Sequence, residues 1–273
     1  MNRTRTGVAK GATGSAPAFI VNSYGKGRAI LMNFSLSGYA RVEGGLENSR
    51  VAAGKEAGGI GAFWKSLQAF VGMPEKVKIA AAAHDGLRLY RFECGALEYL
   101  GVLQELPENA MLYTMNQAKP LATVPVELTL DRKVHVYDVR DAKYIGFTDK
   151  IKAPVKPGIA QMYALLPYRV KKLSAEAPGR VQSGKELTYG VEIKVEDGAI
   201  GRHVVRRELI APDGKEAPWY SENMAVENGA LTGRLTLALN EQPGKWKIRF
   251  KDIASGIETE RTFTVENDNA KNN

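Results

Sequence analysis

The segment NEQPGKWKIRFKDIASGIETERTFTV, residues 240–265, constrains the fold more than any other part of the chain. A Pro-Gly pair precedes one apolar run, and Ser255-Gly256 separates that run from a second. In both runs apolar residues alternate with polar ones, which places them on one face of a strand. The apolar residues are Trp246, Ile248, Phe250, Phe263 and Val265. The segment therefore predicts the last hairpin of a β-sandwich.

Two longer regions repeat this pattern of short strands and turns. Residues 76–168 contain KVKIAAAA, LRLYRFECG, LEYLGVLQEL, VPVELTL, KVHVYDVR and AQMYALLPY, with predicted turns at Asp85-Gly86, Gly95, residues 107–109 and Asp131-Arg132. Residues 169–266 contain LTYGVEIKV, HVVRRELIAPDGK, LTGRLTLAL, KWKIRF and ETERTFTV. Short strands at this spacing, without helices among them, favour a sandwich in each region. We assign PYRVKKLSAEAPGRVQSGK to the crossing between them.

The first region, residues 1–75, has a different character. PAFIVNSYGKGRAILMNFSL reads as a hairpin around Gly25, because glycine adopts the positive φ of tight turns. Apolar residues at helical spacing then predict a helix over residues 56–71, ended by Gly72. The predicted fold is thus mainly β, with two consecutive β-sandwich domains at 76–168 and 169–266. A small α/β remnant, the hairpin plus helix, precedes them, and residues 267–273 form a disordered tail.

Composition excludes several classes of protein. With 273 residues, 44% hydrophobic and 25% charged, the chain has the balance of a soluble globular protein. Its single cysteine, Cys94, rules out an internal disulfide framework. No apolar run reaches the length of a membrane span, and Pro17 interrupts the short apolar stretch near the N-terminus, so we expect no signal peptide. The compartment is left open, and an exported parent protein is one alternative.

The net charge of +8 does not indicate nucleic-acid binding. The excess of basic residues lies in the first region and is spread thinly. The basic pairs Lys171-Lys172 and Arg206-Arg207 fall in strand-like sequence. A nucleic-acid site needs clustered basic residues with exposed aromatic side chains. We therefore expect neither a nucleic-acid partner nor a membrane partner.

Several segments resemble one family of proteins. PAFIVNSYGKGRAILMNF, with the run Tyr24–Ala29 and the later helix containing Trp64, resembles the end of the glutamine-amidotransferase-like domain in multidomain β-galactosidase-like glycoside hydrolases. LRLYRFECGALEYLGVL and KVHVYDVRDAKYIGFTDKI resemble the β-sandwich that follows it in large bacterial relatives. HVVRRELIAPDGK and NEQPGKWKIRFKDIASG resemble a bacterial immunoglobulin-like module.

This resemblance implies a supporting role in carbohydrate metabolism. In the family the amidotransferase-like domain is not catalytic and mediates trimerisation, so a homo-oligomer is implied by the resemblance alone. The family's catalytic (β/α)₈ barrel and its paired glutamates would lie upstream, and no position here can take their role. The resemblance thus implies a fragment, the C-terminal piece of a larger enzyme.

The residues themselves form no recognisable catalytic or metal-binding motif. Cys94 is expected to be a buried strand thiol, with pairing to a histidine as the alternative. His84, His135 and His203 lack metal-ligand spacing, so no metal and no cofactor are expected. Carboxylates such as Glu93 and Glu98, Glu105 and Glu108, or Asp138 and Asp141 could serve a glycosidase only as a pair across a pocket. Solvated acids in turns are the simpler interpretation.

Trp219 and Tyr220 are the candidate site. They follow Pro218 in a predicted loop, and a sugar ring can stack its apolar face on an aromatic side chain. The alternative is that they anchor the loop onto the sandwich. The leading hypothesis is therefore a non-catalytic accessory region that braces or oligomerises, with a candidate carbohydrate contact at these two residues. A stand-alone carbohydrate-binding protein and a small hydrolase of unrecognised type are the alternatives.

Overall fold

The computed structural model describes residues 8–13, 16–25, 27–33, 66–79, 87–105 and 122–267. The chain divides into two compact units: residues 1–76 with 108–111, and residues 77–107 with 112–273. The protein is mainly β, with several antiparallel sheets, as predicted for β-sandwich domains. The predicted limits of the three regions stay predictions, and all but the first residue of the predicted tail lies outside the described residues. No helical segment in the described ranges has the length and hydropathy to cross a membrane.

The first unit contains a three-stranded antiparallel sheet and a helical segment. The sheet has the order β1–β2–β3, with β1 at Val8–Thr13, β2 at Ala16–Tyr24 and β3 at Gly27–Met32. The predicted hairpin is the β2–β3 pair, and Gly25 in its turn has a φ of 58°. Residues 66–71 are helical and end at Gly72, with a φ of 72°. The rest of the predicted helix, including Trp64, lies outside the described residues.

The second unit begins with a six-stranded sheet. Five strands follow the order β4–β7–β9–β6–β5, and β8 pairs with β7. The strands are β4 (Val77–Ile79), β5 (Leu87–Cys94), β6 (Leu97–Gln104), β7 (Val124–Asp138), β8 (Lys143–Val155) and β9 (Gln161–Leu166). The first half of β7 pairs with β4 and the second half with β9. Change of partner along one strand bends the sheet around an aliphatic core that includes Leu100, Val126, Leu128 and Ile151.

Two expectations for this sheet were wrong. Asp131-Arg132 is no turn: the chain stays extended through it, and the register of β7 against β8 shifts between Thr129 and Val134. An irregularity in the β7–β8 pairing accommodates the polar residues that looked like a turn. β8 was not among the predicted strands because Gly146, Asp149 and Lys150 interrupt its apolar pattern.

Two further sheets form the last sandwich. One has the order β10–β12–β15, and the other has β11–β17–β16–β13–β14. The strands are β10 (Arg169–Glu176), β11 (Arg180–Gln182), β12 (Glu186–Glu196), β13 (His203–Ile210), β14 (Glu222–Val226), β15 (Ala230–Thr236), β16 (Gly244–Asp252) and β17 (Glu258–Glu266). The segment assigned to a crossing instead supplies β10 and β11. The bulge at Lys171-Lys172 hides the alternation of β10, whose Val170, Leu173 and Ala175 are buried.

The closing hairpin is confirmed. Its strands are β16 and β17, antiparallel over their length. The residues expected on the inner face are buried: Trp246, Ile248, Phe250, Phe263 and Val265. Gly256, in the predicted turn, has a φ of 74°.

One hydrophobic cluster joins the last sandwich to the six-stranded sheet. It includes Leu97, Tyr137, Ala164 and Leu166 from that sheet together with the core of the last sandwich. The hydroxyl of Tyr137 accepts a hydrogen bond from the backbone N–H of Val170 (2.8 Å). We call this contact region, within the second unit, the joint.

Two glycines have close neighbours at the joint: Gly201 lies against side chains, and Gly256 lies against the backbone of Ala142. A Cβ atom on Gly201 would lie 2.4 Å from the Cδ1 atom of Leu97. A Cβ atom on Gly256 would lie 2.4 Å from the Cβ atom of Ala142, in the turn between β7 and β8. Real Cβ atoms do not pack so closely, so the closing hairpin meets the six-stranded sheet at a distance that only glycine permits.

Candidate functional site

The two residues of the predicted site differ sharply in exposure to solvent. Pro218–Tyr220 form a short 3-10 turn between β13 and β14. The Trp219 side chain is 71% exposed, whereas Tyr220 is only 9% exposed. The Tyr220 hydroxyl donates to the Glu241 carboxylate (2.5 Å) and accepts from the backbone N–H of Ala238 (2.8 Å). Trp219 is therefore available to a ligand, and Tyr220 anchors the turn.

Several contacts hold this turn against the sandwich. The Arg207 guanidinium donates two hydrogen bonds, of 3.0 and 3.1 Å, to the carbonyl oxygen of Tyr220. The Tyr220 ring meets the buried Trp246 ring edge-on at 6.5 Å. Burial, followed by the neighbouring Glu241 carboxylate, raises the pKa of Tyr220. The Trp219 ring is thus presented on a firmly held backbone, which lowers the entropy cost of binding.

Trp219 shares this end of the sandwich with a second exposed apolar residue. Leu239 is 86% exposed and follows Ala238, the residue bound to the Tyr220 hydroxyl. An exposed aromatic face and an exposed aliphatic side chain can each contact a sugar ring or an apolar protein surface.

A cleft of about 340 Å³ lies on the sheet of β10, β12 and β15. Its lining includes several polar or charged residues and a glycine: Ser174, Glu176, Gly190, Glu192, Thr232 and Arg261. We call it the β12 cleft. In the strand register Gly190 stands between Glu176 and Thr232, and Glu192 stands between Ser174 and Ala230. Directly paired residues share a face of a sheet, so these two rows lie side by side, and Gly190 leaves a gap in one of them.

A buried polar network lies at the joint. His203 Nδ1 is 2.8 Å from Asp252 Oδ1, and His203 Nε2 is 3.0 Å from the Tyr168 hydroxyl. The Asp252 carboxylate also accepts hydrogen bonds from the backbone N–H and the hydroxyl of Ser255. The backbone N–H of Gly201 donates to the Tyr168 hydroxyl (2.8 Å). A carboxylate can only accept, so the imidazole Nδ1–H donates to Asp252.

This network has the residue types of a proton relay, but it has no access to a substrate. The His203 and Asp252 side chains are fully buried, and Tyr168 is 1% exposed. A general base must come within hydrogen-bond reach of the proton it takes. The arrangement therefore orients the two sheets and satisfies their buried polar groups. Sequence reasoning missed it because 49 residues separate His203 from Asp252.

The remaining candidates take structural places. Cys94 is half-buried at the end of β5 instead of fully buried. The His135 imidazole lies in β7, with Nδ1 2.8 Å from the Tyr144 hydroxyl, and burial lowers its pKa, with help from the Arg169 charge. His84 and Glu108 lie outside the described residues. Within the described ranges no three acids, histidines or cysteines are grouped to hold a metal ion.

Two of the acids differ from the expected solvated turn residues. Asp138 is buried, and its carboxylate accepts from the backbone N–H groups of Arg140 and Asp141 (both 3.0 Å) and from the Gln161 amide (2.6 Å). It thus closes the turn after β7 from inside. Glu98 is the second, and it is ion-paired.

Glu98 lies between two arginines. Its carboxylate accepts hydrogen bonds from Arg91 and Arg132. Burial alone would raise the pKa of Glu98, but the two guanidinium groups outweigh burial and hold that pKa below its usual value. Glu98 is therefore a fixed anion that ties β6 to β5 and β7, and it is unsuited to proton transfer.

Comparison with known proteins gives only weak structural neighbours. No protein-family model and no curated protein matches the sequence. A superoxide reductase (neelaredoxin) from Ignicoccus hospitalis is 14% identical at a TM-score of 0.27, over 36% of this chain and 82% of that one. The CARDB domain of a Pyrococcus furiosus protein, solved in complex with di-metal ions, is 13% identical at 0.27, over 36% and 89%.

The neighbours also include a glycoside hydrolase. A β-glucosidase from Listeria innocua, in complex with gluconolactone, is 17% identical at a TM-score of 0.28. The match covers 45% of this chain and 19% of the β-glucosidase, so the chain matches about a fifth of that enzyme's length. Similarity at this level supports no inference about activity, and the site has to be interpreted from its own chemistry.

Proposed function

We propose that this chain is a non-catalytic accessory region of a glycoside-hydrolase-like protein, which braces or oligomerises its parent. The observation that carries the proposal is the joint: one buried cluster runs from the six-stranded sheet into the last sandwich. A shared core with directional hydrogen bonds resists rotation of one sheet set against the other. The resemblance of the YGKGRA hairpin to the amidotransferase-like domain supports the glycoside-hydrolase context, including a trimer.

The last sandwich fits an immunoglobulin-like module within this proposal. An antiparallel sheet and a mixed sheet face each other, and the chain passes from β10 in one to β11 in the other. β11 then pairs parallel with β17, the last strand. Such sandwiches commonly serve as spacers and adhesion modules, with their loops at the two ends free for contacts.

The chemistry of the described residues supports a non-catalytic role. The one arrangement that resembles a relay, around His203 and Asp252, is fully buried. Glu98 and Asp138 are engaged by arginines and by backbone N–H groups. We expect no turnover above buffer on a panel of chromogenic glycosides and esters, and clear turnover on any of them would contradict the proposal.

The bracing role is tested at Gly256. Gly256→Ala adds a methyl group that must displace Ala142, whereas Gly214→Ala adds one into open space at a similar φ of 83°. Both variants carry the strain of a positive φ, about 1–2 kcal/mol. We expect calorimetry of the unsubstituted chain to show one cooperative transition for residues 77–267. Gly214→Ala should lose a moderate amount of unfolding free energy. Gly256→Ala should lose more and show separated transitions. Independent transitions in the parent chain would rule out bracing.

A second candidate function is carbohydrate binding at Trp219. The exposed indole on a firmly held turn is the observation that favours it. We expect Trp219→Ala to abolish retention on an insoluble polysaccharide. Leu239→Ala, a truncation of the neighbouring exposed residue, is the matched control and should retain most binding. If the parent chain is not retained, or the variant is retained equally, this second function is wrong.

A further inference from the structure

We infer that the β12 cleft binds one neutral sugar unit through the carboxylates of Glu176 and Glu192 and the guanidinium of Arg261. This site is separate from Trp219. It does not rest on the bracing role or on sugar binding at that tryptophan.

The cleft is open above its central strand, β12. A Cβ atom on Gly190 would meet only the Cβ atom of Glu176, at 4.0 Å. The space above the central strand is therefore empty, between one row ending in Glu176 and Thr232 and another ending in Ser174 and Ala230. The volume of about 340 Å³ falls at the small end of the range for ligand pockets, roughly 300–1,000 Å³. It suits a ligand of one or two rings.

Opposite charges line the cleft without pairing with each other. Within the described ranges the Glu176 side chain makes no ion pair or hydrogen bond, and the Arg261 side chain donates only to the carbonyl of Glu260 (2.9 Å). Glu192 is oriented by Lys194 (3.4 Å) and by the Ser174 hydroxyl (3.5 Å). A strong acceptor and a multiple donor thus face the same space, both able to form bidentate hydrogen bonds.

Uncharged hydroxyl groups match these side chains better than an ion does. A phosphate or carboxylate ligand would meet two glutamates, and a divalent cation would meet the positive charge of Arg261 beside only two carboxylates. Hydroxyl groups both donate and accept, so a vicinal diol can donate to Glu176 and accept from Arg261 without carrying charge. A pyranose presents several hydroxyls around one ring, and small residues such as Gly190 and Ala230 let that ring approach the strands.

The cleft and Trp219 lie at opposite ends of β15. The cleft borders the first residues of β15, at Ala230–Thr232, whereas Tyr220 is bound to Ala238, just beyond the end of the same strand. A strand of this length extends about 20 Å. One sugar ring cannot contact both places, so each can be removed without the other.

The test uses saturation-transfer NMR on the full chain with methyl glycosides of glucose, galactose and mannose as probes. Gly190→Val fills the cleft with a residue that strands favour, and Gly179→Val makes the same change in open space elsewhere. We expect the signal of at least one glycoside to disappear in Gly190→Val and to persist in Gly179→Val and Trp219→Ala. The folded state of each variant is checked by its thermal transition.

Other outcomes overturn the inference. A signal lost in Trp219→Ala and kept in Gly190→Val would assign binding to the tryptophan. Absence of signal for all three glycosides in the unsubstituted chain would show that the cleft takes no neutral sugar. Binding of a zwitterion, free glycine, in place of the glycosides would show the same. The bracing role would stand in either case. If Gly190→Val unfolds, the exposed Glu176→Gln serves instead, and an unchanged signal in it would contradict the inference.

Discussion

The two buried clusters of the second unit treat polar groups differently. The cluster inside the six-stranded sheet is aliphatic apart from Tyr163, whose buried hydroxyl has no hydrogen-bond partner among the described residues. The Gln161 amide, two residues earlier in β9, donates to Asp138 (2.6 Å). The cluster at the joint lies against Tyr168, His203 and Asp252, and every one of these polar side chains is hydrogen-bonded.

This difference separates two ways of stabilising a fold. Burial of apolar surface is non-directional and holds the six-stranded sheet together by area. Buried hydrogen bonds contribute less net energy but fix one arrangement, since any other leaves polar groups unpaired. The joint therefore sets orientation, which is what a bracing region requires.

The largest effect is expected at Asp252. Asp252→Ala leaves three buried donors on His203 and Ser255 without their acceptor. Each unsatisfied donor costs about 1–3 kcal/mol, so we expect the free energy of unfolding, measured in urea, to fall by about 3–5 kcal/mol in total. Asp252→Asn keeps one of the two oxygen acceptors and should lose about 1–3 kcal/mol. Equal losses in both variants would mean that the carboxylate charge, and not only an acceptor at that position, is required.

The next effect compares two buried tyrosines, one from each cluster. Tyr137→Phe removes the acceptor of the Val170 N–H and should cost about 1–3 kcal/mol. Tyr163→Phe removes an unpartnered hydroxyl and should be neutral or stabilising. Both side chains are nearly fully buried, so the pair controls for lost packing. A similar change in unfolding free energy in both variants would show that the two clusters do not differ as argued.

Absorbance titration gives an independent check on the joint. Burial raises the pKa of Tyr137 to about 12, even though the hydrogen bond from Val170 opposes that change. A pKa raised in the folded state stabilises the fold fully below the unfolded value, the ordinary 10.0, and this contribution is lost as the pH rises toward 12.

The sequence predicted those parts of the fold that local patterns specify. Strands with regular alternation, such as β12 and the β16–β17 hairpin, were found, and Gly25 and Gly256 marked real turns. β8 and β10 were missed because Gly146 and the bulge at Lys171 break the period. Nothing local could bring His203 to Asp252 or show that Trp219 is exposed while Tyr220 is buried, because long-range pairing decides both.

A smaller, pH-dependent effect is expected at Glu98. Its carboxylate accepts from Arg91 and Arg132, and its pKa lies below the ordinary 4.5 because these hydrogen bonds outweigh burial. The stabilisation is therefore complete above about pH 4.5 and is lost as the pH falls through the lower folded-state pKa. We expect Glu98→Gln to cost about 1 kcal/mol near neutral pH, with a difference that shrinks in acid.

The control for this prediction is an exposed ion pair. Glu266→Gln breaks the contact with Arg180, which is 80% exposed, and such surface pairs are screened by solvent. Its unfolding free energy should match that of the parent chain. If the Glu98→Gln difference stays constant from neutral to acid pH, the charge of Glu98 does not stabilise the sheet.

The smallest effect on stability is expected at Trp219. Trp246→Ala removes a fully buried indole and should cost about 3–5 kcal/mol, whereas Trp219→Ala removes one that is mostly exposed and should change stability by less than about 0.5 kcal/mol. The comparison isolates location, because the side chain and the substitution are the same. A loss above 1 kcal/mol for Trp219→Ala, measured by urea denaturation, would mean that the indole anchors the turn together with Tyr220. A near-zero change would mean that the exposed ring has no role in folding and is free for contact with a ligand or partner.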